Sequence, residues 1–345
     1  MALRGMRDRA ISPMRVLSIG IILSMVLVVV VLTSLSMGPA KVSMGTILGW
    51  CAGTRSVDQT TSMILMKIRL PRILLAALVG FTLSLGGVVF QALLRNPLAE
   101  PFILGISSGA AIGAIAGILV GLGFTMGVPL LAFIGALATI LLVMGISSRH
   151  GGLESSTLLL TGVIVNAFFT AIIMFFIATV SDSRLHSMLF WLYGDLSQSK
   201  YIQLSICLPL VLIVSGIIYL FSRHLNLLVG GDEAALQMGV EVEIVKWVSF
   251  LGISLITGVV VSFSGIIGFV GLIVPHLMRM IFGPDHRLLI PASALGGAIF
   301  LVAADTVART IISPSELPVG VITAFLGAPF FIYLLRKRGS QWTQR

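Results

Sequence analysis

The residues able to do chemistry are few and widely spaced. Asp305 precedes Arg309 by four positions, the spacing at which a carboxylate and a guanidinium meet on one helix face. Gln91, Thr161, Asn166 and Thr170 are neutral polar residues in otherwise apolar stretches. The chemistry open to them is hydrogen bonding between helices, or toward a path between helices. No run of Asp, Glu and His crosses those stretches, as the relay of a proton-driven pump would. The segment Asp232-Glu233-Ala234-Ala235-Leu236-Gln237-Met238-Gly239 opens with two acids, where a helix dipole favours them, continues in helix formers and closes on glycine. A short surface helix of this kind is a candidate docking element for another protein. The chain has no GxxxxGK[ST] phosphate loop and no Gly-Lys pair at all, so ATP, if used, is hydrolysed by another polypeptide. Cys51 and Cys207 form neither a disulfide framework nor a metal cluster. His150, His186, His224, His276 and His286 fall at the ends of apolar runs, where surface and capping roles outweigh metal ligation.

The elements that carry these residues follow from composition. Of 345 residues, 57% are hydrophobic and 10% charged, and the mean hydropathy is +1.10. A soluble domain is about 45–50% apolar and about 25% charged, so an ordinary soluble enzyme, a disordered chain and a nucleic-acid-binding domain are excluded. The excess of 22 Lys+Arg over 13 Asp+Glu belongs instead to loops and membrane surface. Spanning helices need roughly 20 apolar residues each. Apolar runs lie at about 16–37, 73–94, 102–123, 128–146, 157–180, 202–221, 288–308 and 319–335. A double-length run at about 244–282 divides at Ser-Phe-Ser-Gly-Ile-Ile-Gly, 262–268. The fold predicted is therefore an all-α polytopic membrane protein of about ten transmembrane helices, one domain over 1–345.

Ten spans put both termini on one side. Arg4, Arg7, Arg9 and Arg15 at one end and Arg336, Lys337, Arg338 and Arg345 at the other make that side cytoplasmic. The predicted tails are 1–15 and 336–345, and the longest inner loop is about 222–245. Lys and Arg then number 14 inside and 8 outside, and most of the outside charge sits between Lys41 and Arg72, against the trend. In the third run Gly105, Gly109, Gly113, Gly117 and Gly121 recur every fourth residue, a ladder that reads first as close helix packing.

Local signatures complete the pattern. Arg69-Leu70-Pro71-Arg72 precedes the second run. Leu94-Arg95-Asn96-Pro97-Leu98-Ala99-Glu100-Pro101 and Leu104-Gly105-Ile106-Ser107-Ser108-Gly109-Ala110 follow it. Later come Gly268-Phe269-Val270-Gly271-Leu272-Ile273-Val274-Pro275-His276, Asp285-His286-Arg287, Ala304-Asp305-Thr306-Val307-Ala308-Arg309, Glu316-Leu317-Pro318-Val319-Gly320-Val321 and Leu326-Gly327-Ala328-Pro329. With these motifs in this order, nearly the whole chain resembles the FecCD-type permease subunits of importers for iron-siderophores, haem and cobalamin.

The resemblance implies a type II importer fold of ten helices per subunit, a second permease copy, and two copies of an ATP-binding subunit on the cytoplasmic face. It also implies a soluble substrate-binding protein outside and a place in the inner, cytoplasmic membrane, with lipid and not nucleic acid as surroundings. The chain would bind no cofactor itself, ATP being used by the partner. By the same resemblance, Arg69, Arg72 and Arg309 match positions that dock the binding protein, which suits the guanidinium fork for carboxylates. Asp232, Glu233, Ala234, Ala235, Gln237 and Gly239 match the ATPase coupling region. Ser155 and Ser156 match the inner gate, from which Glu154, with Gly151 and Gly152, departs. Asn166, on a helix that usually lines the path, is the expected path residue. The chemistry read from the residues leaves two rivals, an ion-coupled secondary transporter and a membrane-bound enzyme. The missing relay speaks against the first and the missing nucleophile–base constellation against the second. The cargo is not legible: siderophore, haem and cobalamin permeases share these motifs.

Overall fold

A computed structural model describes residues 12–342 apart from 39, 41, 55–57, 149–154 and 181–182. Its helices are α1 (Pro13–Ser36), α2 (Met44–Cys51), α3 (Gln59–Met63), α4 (Leu70–Leu93), α5 (Ile106–Val120), α6 (Gly127–Ser147), α7 (Ser155–Thr179) and α8 (Arg184–Leu192). They continue as α9 (Tyr201–Leu220), α10 (Ser222–Leu228), α11 (Asp232–Gln237), α12 (Val242–Ser264), α13 (Val270–Phe282), α14 (His286–Thr310) and α15 (Val319–Trp342). No strand occurs among the described residues. Among the described residues, seven stretches are long and apolar enough to cross a membrane: α1, the continuous 59–93 stretch, α6, α7, α9, α12 and α14. Three shorter apolar helices, Ile106–Val120, Val270–Phe282 and Val319–Tyr333, take the places of the remaining expected spans.

Each boundary has a local cause. Ser12 caps α1 by accepting from the Arg15 backbone N–H, and Pro13 begins the helix where a missing N–H costs nothing. α3 passes into α4 through one π-helical turn at Ile64–Arg69. The third expected run is shorter than its apolar length. Pro101–Leu104 form a 3₁₀ turn, Gly105 takes φ 75°, and α5 begins only at Ile106. The split within 244–282 falls where the sequence places it: α12 ends at Ser264, Gly265 has φ 67°, and α13 starts at Val270. Phe269 holds φ 69° and has no side-chain cap of its own. Glu100, from the turn after α4, accepts from the Phe269 backbone N–H. At 13 residues and 1.5 Å rise per residue, α13 spans only about 20 Å. The non-helical 265–269 backbone is tolerable within the bundle because it is packed in protein rather than in lipid.

α4 is the centre of the bundle. It packs on α14, α12 and α13, and most of its side chains are buried. A Cβ at Gly80 would overlap the Gly297 carbonyl, so these two glycines set the α4–α14 distance. The five-glycine series divides by role. Gly109, Gly113 and Gly117 face α6, where a Cβ would strike Thr139 and Leu131 and crowd Val128, so the packing expectation holds for them. Gly105 and Gly121 instead cap α5 with φ of 75° and 81°. α1 lies at the periphery, with only Ser34 and Leu35 of its described residues buried, and packs chiefly on α14.

Four features depart from the sequence reading. The 38–72 connection contains α2 and α3. The 181–201 connection contains α8, whose Met188 and Trp191 are buried. The inner loop at 222–245 holds, besides the short helix expected from Asp232, which is α11, the further helix α10 and the start of α12. The tail expected at 336–345 continues α15 as far as Trp342. The 1–15 tail falls mostly outside the described residues, as do Arg149, His150, Gly151, Gly152 and Glu154.

Candidate functional sites at the two ends of the bundle

At the end where α4 begins and α14 finishes, charges converge that are distant in sequence. The i,i+4 pair is present: Arg309 Nε lies 3.0 Å from Asp305 Oδ2. It is an ion pair whose angle is off-line for a hydrogen bond, since neither atom finds a hydrogen-bond partner. Asp305 also takes Arg72, with Nε and Nη2 each 3.0 Å from Oδ1. Arg72 Nη1 donates to Glu316. Arg309 Nη2 donates to Ser34 Oγ at 2.7 Å, and Ser34 shares a 2.7 Å hydrogen bond with Thr306. Arg69 turns to α1 instead, donating to the Leu35 carbonyl at 2.6 Å and to the Ala40 carbonyl. The three arginines are 4%, 6% and 3% exposed for Arg69, Arg72 and Arg309. Asp305 is fully buried, while the Glu316 side chain is 35% exposed.

The sequence thus brings Arg69, Arg72 and Arg309 to one end, as expected, but with intrachain acceptors already in place. Arg69 and Arg72 are three apart, yet they bind different elements. Three guanidiniums against Asp305 and Glu316 leave the cluster net positive. The sequence reading missed Glu316 as a partner. Its only signal was membership in the motif at 316–321.

At the opposite end, α10 and α11 form a short helix pair between α9 and α12. α11 begins at Asp232 after Gly231, φ 118°, as the acidic pair predicted. It closes in a Schellman arrangement: the Val240 N–H bonds the Ala235 carbonyl, the Gly239 N–H bonds the Leu236 carbonyl, and Gly239 has φ 82°. Asp232 anchors the pair. Its Oδ2 accepts from Lys246 Nζ of α12 at 2.6 Å and lies 3.7 Å from Arg95, in the turn after α4.

The expected coupling residues do not share one face. Ala235 is fully buried against its own chain, Asp232 and Ala234 are half-buried, and Glu233, Gln237 and Gly239 are exposed. Leu236 at 57% and Met238 at 66% form an exposed apolar tip. Beside α10, Asn226 Oδ1 accepts from the His286 backbone N–H, and Asn226 Nδ2 donates to Asp285 at 2.9 Å. Arg287 also grips Asp285, through Nε at 3.0 Å. These contacts, the Arg287 hydrogen bond first among them, hold the Asp285 carboxyl down at about 2.

The remaining expected residues lie on α7. Ser155 is its first residue, and Ser156 is exposed. Asn166 is half-buried, and its backbone is on the side that meets the Gly105 turn. The open face of α7 is apolar instead, with Leu160, Ile164 and Phe168 about 60% exposed.

A meeting of three chain breaks went unread in the sequence. The Val319 N–H donates to the Gly194 carbonyl at 3.0 Å, and the Gly320 N–H to the Tyr193 carbonyl at 3.1 Å. Gly265 packs against the Trp191 carbonyl. This ties the end of α8, the α12–α13 break and the start of α15 around an open apolar cavity of about 470 Å³, bordered by Tyr193, Ile266, Ala324 and Phe325. The alternation of Met188 and Trp191 with polar Arg184 and Ser187 is the signal that would have revealed α8. No group of three or more His, Cys, Asp or Glu side chains gathers as metal ligands among the described residues.

Known proteins match this arrangement along its length. The chain is 44% identical over 282 residues to a cobalamin import system permease protein of Halobacterium salinarum, covering 82% of this chain and 76% of the relative. It is 40% identical over 326 residues to a hemin transport system permease protein of Yersinia pestis, covering 92% and 95%. A solved inward-facing structure, described as a metal-chelate type ABC transporter, superposes with a TM-score of 0.81 at 34% identity, covering 93% of this chain and 99% of that one. The model of the FecCD transport family matches residues 26–337, and the chain is a member of that family of multi-pass ABC transporter permeases.

Proposed function

We propose that this chain is the membrane subunit of an ATP-driven importer for an iron-chelate, haem or cobalamin, in the cell membrane with both termini cytoplasmic. The observation that carries the reading is the α10–α11 pair. It presents Leu236 and Met238 outward while Asp232 ties it to α12 and to the α4–α5 turn. Such an element transmits the movement of a partner into the bundle. Two copies of an ATP-hydrolysing subunit contact it, and a second permease copy completes the path. The open cavity bordered by Tyr193, Ile266 and Phe325 supplies an apolar, weakly interacting wall for a large complex. Selectivity then resides in the substrate-binding protein that delivers the cargo. At the outer end, carboxylates of that protein dock at the Arg69, Arg72 and Arg309 cluster, displacing Glu316, its most exposed member, from Arg72. Ser155 and Ser156 form the inner gate, and Asn166 on α7 is the path residue.

An ion-coupled mechanism fits less well. The buried charges Arg69, Arg72, Asp305 and Arg309 sit together at one end, and buried Lys246 sits at the other. The test is reconstitution of the chain with its ATPase and binding protein in proteoliposomes. Ferric siderophores, haem and cobalamin are compared for stimulation of ATP hydrolysis and for uptake. Uptake driven by an ion gradient without ATP would overturn the reading.

A further inference from the structure

The passage from α3 into α4 leaves one backbone acceptor without a donor from its own helix. In a regular α-helix the Leu70 N–H would serve the Met66 carbonyl, four residues back. In the π turn at Ile64–Arg69 it serves the Leu65 carbonyl instead, five residues back. The residue that would serve Met66 in that register is Pro71, and proline has no N–H. Neither register therefore gives the Met66 carbonyl a partner within the helix. Tyr201, the first residue of α9, supplies one from 135 positions away: its hydroxyl donates to the Met66 carbonyl at 2.7 Å. α9 packs along α4, which brings the ring within reach.

What the turn carries gives this bond its consequence. Arg69 is the last residue of the turn. It donates to the Leu35 carbonyl at the end of α1 at 2.6 Å, and to the Ala40 carbonyl. The fit is close, since a Cβ at Gly38 would lie 2.7 Å from Arg69 Nη2. Rewinding the turn into the α register would rotate α3 against α4 by about 100°, one residue's share of a 3.6-residue turn. The connection that carries Ala40 would be drawn with it. We propose that the Tyr201 hydroxyl stands in for the N–H that Pro71 lacks, and that Tyr201 is the positioning residue that holds the π turn and, through it, Arg69 against the end of α1. The bland role for a tyrosine that is 45% exposed is to anchor its ring among lipid headgroups, which requires no bond to Met66.

A double-variant cycle on the full chain separates the two. Tyr201→Phe keeps the ring and removes the donor. Amide exchange over Ile68–Leu70 should quicken about five-fold, the scale of one neutral hydrogen bond. Pro71→Ala restores a backbone N–H for the Met66 carbonyl, so adding Tyr201→Phe to it should leave the exchange unchanged. Equal quickening in both backgrounds, or none in the native one, overturns the proposal. A second measurement covers a Pro71→Ala chain that does not fold. Met66-Lys67 is the only Met-Lys pair in the sequence, so carbonyl-¹³C methionine with ¹⁵N lysine gives one backbone NMR signal, from this carbonyl. That signal should shift in Tyr201→Phe, and an unmoved signal overturns the proposal. The assignment does not depend on the docking role of Arg69. If Arg69 docks the binding protein, affinity should fall along with the slowed exchange. Altered exchange and carbonyl signal with unchanged affinity would support the positioning role and remove the docking one.

Discussion

The two ends of the bundle are both held by ion pairs, but in opposite solvent regimes. At the end where α4 begins and α14 finishes, the side chains of Arg72, Asp305 and Arg309 are 7%, 1% and 4% exposed. At the α10–α11 end Arg95 and Asp232 are 44% and 33% exposed, and of these three Lys246 alone is buried. Removing one partner of a buried pair strands a charge away from water and costs roughly 3–5 kcal/mol. An exposed pair is worth about 0–1 kcal/mol. The contrast shows where rigidity lies. The buried cluster fastens α1, α4 and α14 to one another and resists change. The α10–α11 end is held by more exposed pairs, which suits its proposed coupling role.

The sharpest way to break this comparison is at Asp305. Asp305→Asn leaves Arg72 and Arg309 without their shared carboxylate and should destabilise the chain by roughly 3–5 kcal/mol, read by chemical unfolding in detergent. A loss of less than about 1 kcal/mol would mean that the cluster is hydrated and no more rigid than the opposite end. At the coupling end the largest effect should be functional. Leu236→Glu with Met238→Glu should leave unfolding stability within about 0.5 kcal/mol, as exposed substitutions do. It should weaken ATPase binding by about 2 kcal/mol or more if the tip is a hot spot, measured as subunit affinity by biolayer interferometry.

A smaller effect probes the outer cluster's proposed role in docking. Glu316→Gln removes the half-exposed competitor for Arg72 and should tighten binding-protein docking up to about five-fold, the scale of a partly exposed pair. High salt should shrink the gain. Unchanged affinity would leave the arginines as intrachain anchors alone. The smallest effect concerns the α10–α14 junction. Asp285 is depressed to about 2 from an ordinary 3.8. Its carboxylate therefore stabilises the fold above about pH 3.8, and the contribution disappears as pH falls through about 2. Asp285→Asn should lose that dependence, so acid-unfolding curves of variant and parent should converge near pH 2. Parallel curves throughout would remove Asp285 from the junction's stability.

Much of this was legible because it is local. Asp305 and Arg309 meet through i,i+4 spacing, and the α12–α13 break falls at the Ser-Gly-rich 262–268 stretch. α11 begins at Asp232 and closes at Gly239 because the helix dipole, glycine and helix-forming side chains act over single turns. The misreadings share one source. The 102–123 run looks continuous because its hydrophobicity is continuous, yet Pro101 and Gly105 delay the helix to Ile106. Ala235 suits a surface helix by composition, but the side facing the bundle is set by where α10 and α12 lie.

The sequence by itself determined the membrane as solvent, the positions of most apolar helices, the absence of an ATP-binding loop and the family, since these rest on composition, short-range periodicity and ordered motifs. Only the tertiary structure decided that Arg72 reaches Asp305, 233 positions away, and that Arg69 holds the end of α1 rather than a neighbour of Arg72. It also decided that α8, the α12–α13 break and the start of α15 share one cavity wall. The physical reason is that no periodicity along the chain records which distant backbone comes within hydrogen-bond reach. That is fixed by how closely helices pack, as where α4 and α14 approach at Gly80 and Gly297.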